Sequence, residues 1–329
     1  MPSPGMMGPK MSLSTPLITV TRIIHAGRTS TVYEGLLREG VGGACRPVAI
    51  KRHSDAKRCQ REFTALLHML DAVDHGKLLR LEYQRTLDDA EVDLSALSEA
   101  DVLGVRARAA ARAGERSARG AAAPLSPHPL NLVTALVPGV GGPVLSGRRH
   151  REPSDREVAD EVRGAFEAIE ELHRATKVAH LDCKPDNFVR GAGGADRPTV
   201  LVDFDLAAVL PRDGGWARGR RGTPLTMPPE TWRNGHMSRA SDVWATGIML
   251  FGAAHPGTSH PYDLVRPAPR EMTLPEFRDC MLLNDYEEEG MWSNSRAPLA
   301  RELCAMLLRD RPSERPDATE ALRHPLFRR

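Results

Sequence analysis

A chain of 329 residues, 41% hydrophobic and 27% charged, has enough apolar material for one large domain or two lobes with a sizeable core. Its 45 Lys and Arg against 43 Asp and Glu leave a net charge of +2, which argues against nucleic acid or an anionic membrane as an obligate partner. The five cysteines, Cys45, Cys59, Cys183, Cys280 and Cys304, are odd in number and scattered without a C-x-x-C pair, so the pattern points to a reducing, intracellular compartment, cytoplasm or nucleus.

Residues 1–16 are rich in Pro, Gly, Ser and Met and lack a basic start followed by an apolar run. They are expected to form a disordered tail, and no segment reaches membrane-spanning length. From Leu17 to Leu37 apolar and β-branched residues predict two strands, joined by a tight loop at His25-Ala26-Gly27-Arg28-Thr29-Ser30. Pro47-Val48-Ala49-Ile50-Lys51 reads as a third strand. Ser54 to Leu70 has helical spacing, with Glu62, Leu66 and Met69 near one face and Phe63, Leu67 and Leu70 beside it. Fourth and fifth strands are expected at Leu78 to Tyr83 and Asn131 to Val137. Between them, about Thr86 to His128, lies an Ala/Arg-rich stretch carrying Arg108, Arg112 and Arg116 at i, i+4 spacing, which reads as a solvated, partly disordered insertion. The remainder is mainly helical. Ser154 and Glu157 have capping-box spacing ahead of an apolar stripe at Val158, Val162, Phe166, Ile169 and Leu172. Val243 to Phe251 is apolar on all sides, as a helix in the centre of a lobe would be.

The chemistry concentrates in His180-Leu181-Asp182-Cys183-Lys184-Pro185-Asp186-Asn187. A carboxylate, an amine and a carboxamide share one short segment stiffened by Pro185. Phosphoryl transfer asks for this set: an acceptor for the nucleophile's proton, a cation for the phosphate and an oxygen ligand for magnesium. A second carboxylate site, Asp203-Phe204-Asp205, follows the apolar run Val200-Leu201-Val202. The first segment resembles the H-R-D-x-K-x-x-N catalytic loop of protein kinases, with Leu181 in place of the arginine, and the second resembles their D-F-G.

The resemblance is to the eukaryotic-type serine/threonine protein kinase family and implies an α+β, two-lobed fold. A small β-rich N-lobe with one main helix would span residues 17–137, including the insertion at about 86–128, and a larger helical C-lobe residues 138–329. It further implies ATP and Mg2+ as cofactors. Asp182 would accept the substrate proton, Lys184 would neutralise γ-phosphate charge, and Asn187 and Asp203 would bind magnesium. Lys51, ending Val48-Ala49-Ile50, matches V-A-I-K, and Glu62 is its expected ion-pair partner. The Gly-rich loop is degenerate, with His25, Gly27, Ser30 and Val32 at its marked positions. Gly27 would let backbone amides approach phosphate, while Val32 and Ala49 would cover the adenine. Thr134 would be the gatekeeper and Ala135 to Val137 the hinge.

Farther on, Gly222-Thr223-Pro224 through Pro228-Pro229-Glu230 resembles the end of a kinase activation segment. Thr223 with Lys184 fits the serine/threonine branch. The resemblance implies a buried Glu230–Arg315 ion pair and an Asp242 that braces the catalytic-loop backbone; small-molecule kinases of related fold generally lack this set, which implies a protein substrate. Between Asp203 and Gly222 there is no Ser, Thr or Tyr. With Leu181 replacing the arginine that a phosphorylated loop would pair with, the expectation is a kinase active without activation-loop phosphorylation. Trp216, together with contacts of Arg218, Arg220 and Arg221 to acidic groups on enzyme or substrate, would order the loop; the same arginines are equally consistent with a solvated basic loop. Asp205, less able than glycine to take a positive φ, is expected to resist a flip of the Asp203-Phe204 segment. Leu181 and the loose Gly-rich loop are also similar to kinases of large DNA viruses such as herpesviruses. The alternative is a pseudokinase serving as a nucleotide-binding or scaffolding module, favoured by the degenerate loop and Asp205.

Overall fold

In a computed structural model of the chain, the described residues are 17–27, 29–38, 43–70, 91–93, 131–135, 151–190, 199–211, 215–255, 257, 260–261, 272–283, 292 and 296–328. The chain divides into two compact units, Met1–Cys59 with Leu81–Leu136, and Gln60–Arg80 with Val137–Arg329. The boundary expected after Val137 falls one residue earlier. Residues 60–80, assigned above to the first lobe, group with the second, and the hydrogen bonds of Arg61 and Glu62 to the Phe204 region account for this.

In the first unit, β1 (Leu17–Ala26), β2 (Ser30–Arg38) and β3 (Cys45–His53) form an antiparallel meander, completed by β4 (Glu91–Asp93) and β5 (Asn131–Ala135) in the order β4-β1-β2-β3-β5. Alternation decides which side is core: Ile18, Val20, Tyr33, Leu37, Val48 and Ile50 are buried. The register sets the other face. Val32 pairs with Lys51 and Ala49 with Thr134, so Val32, Ala49, Lys51 and Thr134 share one side of the sheet. β4 was not expected. It lies inside the stretch read as a disordered insertion and pairs in parallel with β1, Leu17 to Glu91 and Thr19 to Asp93. An edge strand offers unpaired N–H and C=O groups, and three residues of the insertion satisfy some of them. The tail 1–16, the strand expected at Leu78 to Tyr83, the rest of the insertion and Val137 lie outside the described residues.

Helix α1 (Ala56–Leu70) starts where Asp55 Oδ1 accepts the Arg58 N–H at 2.9 Å. Its buried stripe is Cys59, Glu62, Ala65, Leu66 and Met69. The neighbouring row expected to join it does not fully do so, since Leu67 is exposed.

The second unit is built on α2 (Asp155–Ala175), α3 (Pro229–Asn234), α4 (Arg239–Ala254), α5 (Leu274–Leu283), α6 (Pro298–Leu307) and α7 (Ala318–Leu322). Glu157 Oε2 accepts both the Ser154 N–H, at 2.9 Å, and its hydroxyl, at 2.8 Å, which fixes the start of α2. All five residues of the expected apolar stripe are buried, worth about 1.5–3 kcal/mol each. Every residue of α4 from Ser241 to Phe251 is buried. A side chain at Gly247 would meet Leu307 and Leu308 at 2.9 Å, so glycine is what lets α4 approach α6. Three two-stranded ribbons carry the chemistry: β6 (Val178–Ala179) with β9 (Ala208–Val209), β7 (Phe188–Arg190) with β8 (Thr199–Leu201), and β10 (Ala217–Arg218) with β11 (His236–Met237).

Candidate active site

The site is anchored from beneath by Asp242 in the first turn of α4, a fully buried carboxylate. Its Oδ2 accepts the His180 N–H at 2.8 Å and lies 2.9 Å from His173 Nε2, while Oδ1 accepts the Leu181 N–H at 2.7 Å. Burial pushes this carboxyl up, but the hydrogen bond and charge of His173 and the Leu181 N–H outweigh it, so the net shift is downward. The expected bracing of the catalytic loop by Asp242 is therefore present. His180 works as a spacer. Its Nδ1 accepts the Asp182 N–H at 3.2 Å, so Nε2 carries the proton and donates to the Val202 carbonyl at 2.9 Å, and the ring meets Phe204 edge-on at 4.8 Å. Cys183 is fully buried, and desolvation, reinforced by the charges of Asp242 and Asp182, pushes its thiol well up, which leaves it inert as expected.

Asp182 sits 3% exposed at the centre. Its Oδ1 accepts the Thr223 hydroxyl at 2.6 Å and the Thr223 N–H at 3.0 Å. Its Oδ2 accepts Lys184 Nζ at 2.7 Å and Asn187 Nδ2 at 3.2 Å. Lys184 Nζ also reaches Thr223 Oγ1 at 3.4 Å, and Asn187 Nδ2 donates to the Asp182 carbonyl at 2.8 Å. One carboxylate thus gathers Lys184, Asn187 and Thr223, three residues the sequence placed in the site. With the Asn187 amide nitrogen committed to Asp182, its oxygen is the end left for a cation.

Asp203 follows β8 with φ +67, and Phe204, fully buried, donates its N–H to Glu62 Oε1 at 3.3 Å. The Asp205 carbonyl accepts Arg61 Nε at 2.9 Å. The unusual backbone therefore falls on Asp203; Asp205 is buried without a positive φ. Two aspartate- or asparagine-type oxygens, from Asn187 and Asp203, suit a magnesium ion that keeps water and substrate phosphate as its remaining ligands. Among the described residues there is no group of three His, Cys, Asp or Glu that could hold a metal ion.

Leu181 has φ +66 and is buried in a cluster with Ala179, Ala208, Leu210 and Met237, against which Ala217 packs. Where the motif has a cation, this chain has an apolar peg tying the catalytic loop to β9, β10 and β11. The Leu210 N–H donates to the Lys177 carbonyl at 2.7 Å. Gly222, at φ +126, lies so close that a Cβ would sit 2.7 Å from the Leu181 carbonyl. Within the chain, Arg221 and Arg218 find partners other than acidic groups. Arg221 Nη1 donates to the Ala207 carbonyl at 2.7 Å, and Arg218 lies 5.5 Å over the Trp216 ring; neither contact is with an acidic group. Arg315 Nη1 and Nη2 clamp Glu230 at 2.8 and 2.7 Å, the ion pair expected from sequence.

In the first unit, Gly27 sits in the β1–β2 turn, its N–H donating to the Ser30 carbonyl at 2.9 Å. Lys51 and Thr134 are buried on β3 and β5, with Val32 and Ala49 on the same face. Ala135 ends β5. Glu62 belongs to the other unit, fully buried on α1.

Sequence reasoning missed His173 and Arg61. His173 lies four residues after Ile169 and seven after Phe166, on the apolar stripe of α2, and a histidine on such a stripe needs a buried partner. Arg61 gave no comparable signal.

Residues 131–327 match the protein kinase domain family. The chain belongs to the protein kinase family. The matched span takes in β5 and the segments around Asp182, Asp203 and Thr223; β1 to β3 lie outside it. Among curated proteins it is 30% identical over 176 residues to protein lin-2 of Caenorhabditis elegans, covering 53% of this chain and 17% of that protein. It is 26% identical over 179 residues to serine/threonine-protein kinase pakC of Dictyostelium discoideum, covering 53% and 34%. Serine/threonine-protein kinase fray1 of the same organism is 30% identical over 171 residues, covering 51% and 27%. The chain thus spans about a third or less of the length of each of these relatives. Among the described residues no helix is long and apolar enough to cross a membrane.

Proposed function

We propose that this chain is an ATP- and magnesium-dependent kinase that phosphorylates serine or threonine in a protein, and that it is active without phosphorylation of its activation segment. The observation that carries the reading is the Asp182 carboxylate, held by Lys184, Asn187 and Thr223. Asp182 accepts the proton of the substrate hydroxyl as the hydroxyl oxygen bonds to the γ-phosphorus and the bond from that phosphorus to the bridging oxygen breaks, releasing ADP, while Lys184 neutralises charge on the group being transferred. ATP would be the phosphoryl donor, and Asn187 and Asp203 would hold Mg2+, which when bound would neutralise charge on the phosphate oxygens. Gly27, Val32, Ala49, Lys51 and Thr134 would bind the nucleotide from the first unit. Relatives named serine/threonine-protein kinases support the hydroxyl specificity.

Independence from phosphorylation rests on the Leu181 cluster and on the absence of Ser, Thr and Tyr between Asp203 and Gly222. Phosphatase-treated enzyme should keep its transfer rate; a large loss restored by phosphorylation would refute this. Asp182→Asn should bind Mg-ATP nearly as wild type yet transfer phosphate roughly 10²- to 10⁴-fold more slowly. Unchanged turnover in that variant would sink the mechanism.

One observation favours a pseudokinase with a binding role. His25 Nε2 lies 2.9 Å from where a Gly27 Cβ would be, so the ring crowds the loop meant for phosphate. Measurable Mg-ATP binding with no transfer to any protein would establish that reading.

A further inference from the structure

The activation segment presents a feature that phosphate transfer itself does not use. Between Gly215 and Arg239 the sequence has five arginines and one carboxylate, Glu230, which is buried in its pair with Arg315. In a chain of net charge +2 this is a strong local excess. Arg218 and Arg220 are exposed, and among the described residues neither has an ion-pair partner. Trp216, 44% exposed, is stacked on His236 with ring centroids 4.1 Å apart and planes 27° apart, and Arg218 lies over its ring. The β10–β11 pairing sets Arg218 opposite His236, so backbone hydrogen bonds hold this platform in place. A large exposed aromatic fixed in this way loses little entropy on binding.

We propose that Trp216, Arg218, Arg220 and His236 form a docking surface for an acidic segment of the protein substrate, which makes the enzyme selective for acidic sequences around the acceptor. The proposal rests on the kinase reading above for the identity of the acceptor site. Location supports it. Arg220 lies three positions before Thr223, whose hydroxyl touches Asp182, and that stretch of chain spans at most about 11 Å. Acidic side chains within about three to five extended residues of the acceptor can therefore reach Arg220 and Arg218. Two exposed guanidiniums without an ion-pair partner among the described residues suit a short acidic peptide. A nucleic-acid footprint commonly needs about six to ten phosphate contacts.

Binding can be tested apart from catalysis. The full chain is titrated with a fluorescent peptide that has Ala at the acceptor position and Glu on both sides, and with its Gln-flanked counterpart, reading anisotropy. The Glu peptide should bind at least about tenfold more tightly, and added salt should erase the difference. Arg218→Glu combined with Arg220→Glu should lose this preference and gain affinity for a Lys-flanked peptide, a gain that a misfolded protein would not show. Equal affinity for Glu and Gln peptides, or a preference that survives the double charge reversal, would overturn the proposal. So would single-stranded RNA that binds more tightly than the Glu peptide and displaces it. An intact acidic preference with no transfer to the Ser version would support the docking surface while refuting the kinase reading.

Discussion

Replacing Leu181 by Ala separates the packing role of this residue from every other property of the catalytic loop. Both side chains are strained at φ +66, so the backbone cost is nearly constant and the difference reports contacts with Ala179, Ala208, Leu210 and Met237. Leu181 is 7% exposed. Removing three buried carbons at about 0.8 kcal/mol each, with a term for the cavity, gives about 3 kcal/mol. Ala208, Leu210 and Met237 all belong to the segment running from β9 to β11, so the loss should appear as local opening of that segment. At 1.4 kcal/mol per decade, 3 kcal/mol corresponds to roughly 10²-fold more frequent opening. The Leu210 amide, bonded to the Lys177 carbonyl, is the reporter, and the Ile248 amide inside α4 is the control. Hydrogen exchange in Leu181→Ala should accelerate at Leu210 by about that factor and change little at Ile248, with a parallel fall in phosphate transfer. Wild-type protection at Leu210 would refute the claim that this peg orders the activation segment.

Arg315→Met should be far more disruptive globally. It strands Glu230 in a buried position and strips donors from the carbonyls of Arg309, Ala240 and Asp310, for about 3–5 kcal/mol in denaturant unfolding, and the double variant Arg315→Met with Glu230→Leu should recover part of it. The Glu157 carboxyl is pulled from 4.5 down to about 2 by the Ser154 N–H first, then by Arg151 and the Ser154 hydroxyl. Because the folded value is depressed, its support for α2 is complete above about 4.5 and fades as pH falls toward 2. Side-chain NMR titration should find this low midpoint, and Arg151→Ala should raise it; a midpoint near 4.5 in the native protein would contradict the geometry.

The sequence exposed the second unit better than the first, for a physical reason. Asp182, Lys184, Asn187 and Thr223 converge on one carboxylate because they lie on short segments whose spacing already encodes the contact, and α2 and α4 announce themselves by periodicity. β4 could not be read. Three residues, Glu91 to Asp93, have no period of their own, and their strand exists only because β1 leaves an open edge. The same limit applies to Leu181. Motif comparison showed a missing cation, but the apolar partners that give its replacement a purpose come from Ala208, Leu210 and Met237, up to 56 positions away. Arg221 was misread because charge invites a carboxylate partner, whereas the fold offers it the Ala207 carbonyl.

The two non-glycine residues with positive φ among the described residues, Leu181 and Asp203, flank the chemistry on either side. Left-handed backbone costs roughly 1–2 kcal/mol at such residues, so each must be held by its surroundings. Asp242 holds Leu181 through its N–H, and the apolar cluster holds its side chain. Around Asp203 the grip is on its neighbours: the Val202 N–H donates to Asn187, the Val202 carbonyl accepts from His180, and the Phe204 N–H is taken by Glu62. His180 links both strained positions, because the proton that binds Val202 is fixed on Nε2 by the Asp182 N–H at Nδ1. Asp242 holds the backbone of that same histidine. A single buried carboxylate on α4 thus supports Asp182 and the turn that presents Asp203, and His173, invisible to motif reading, helps keep that carboxylate ionised.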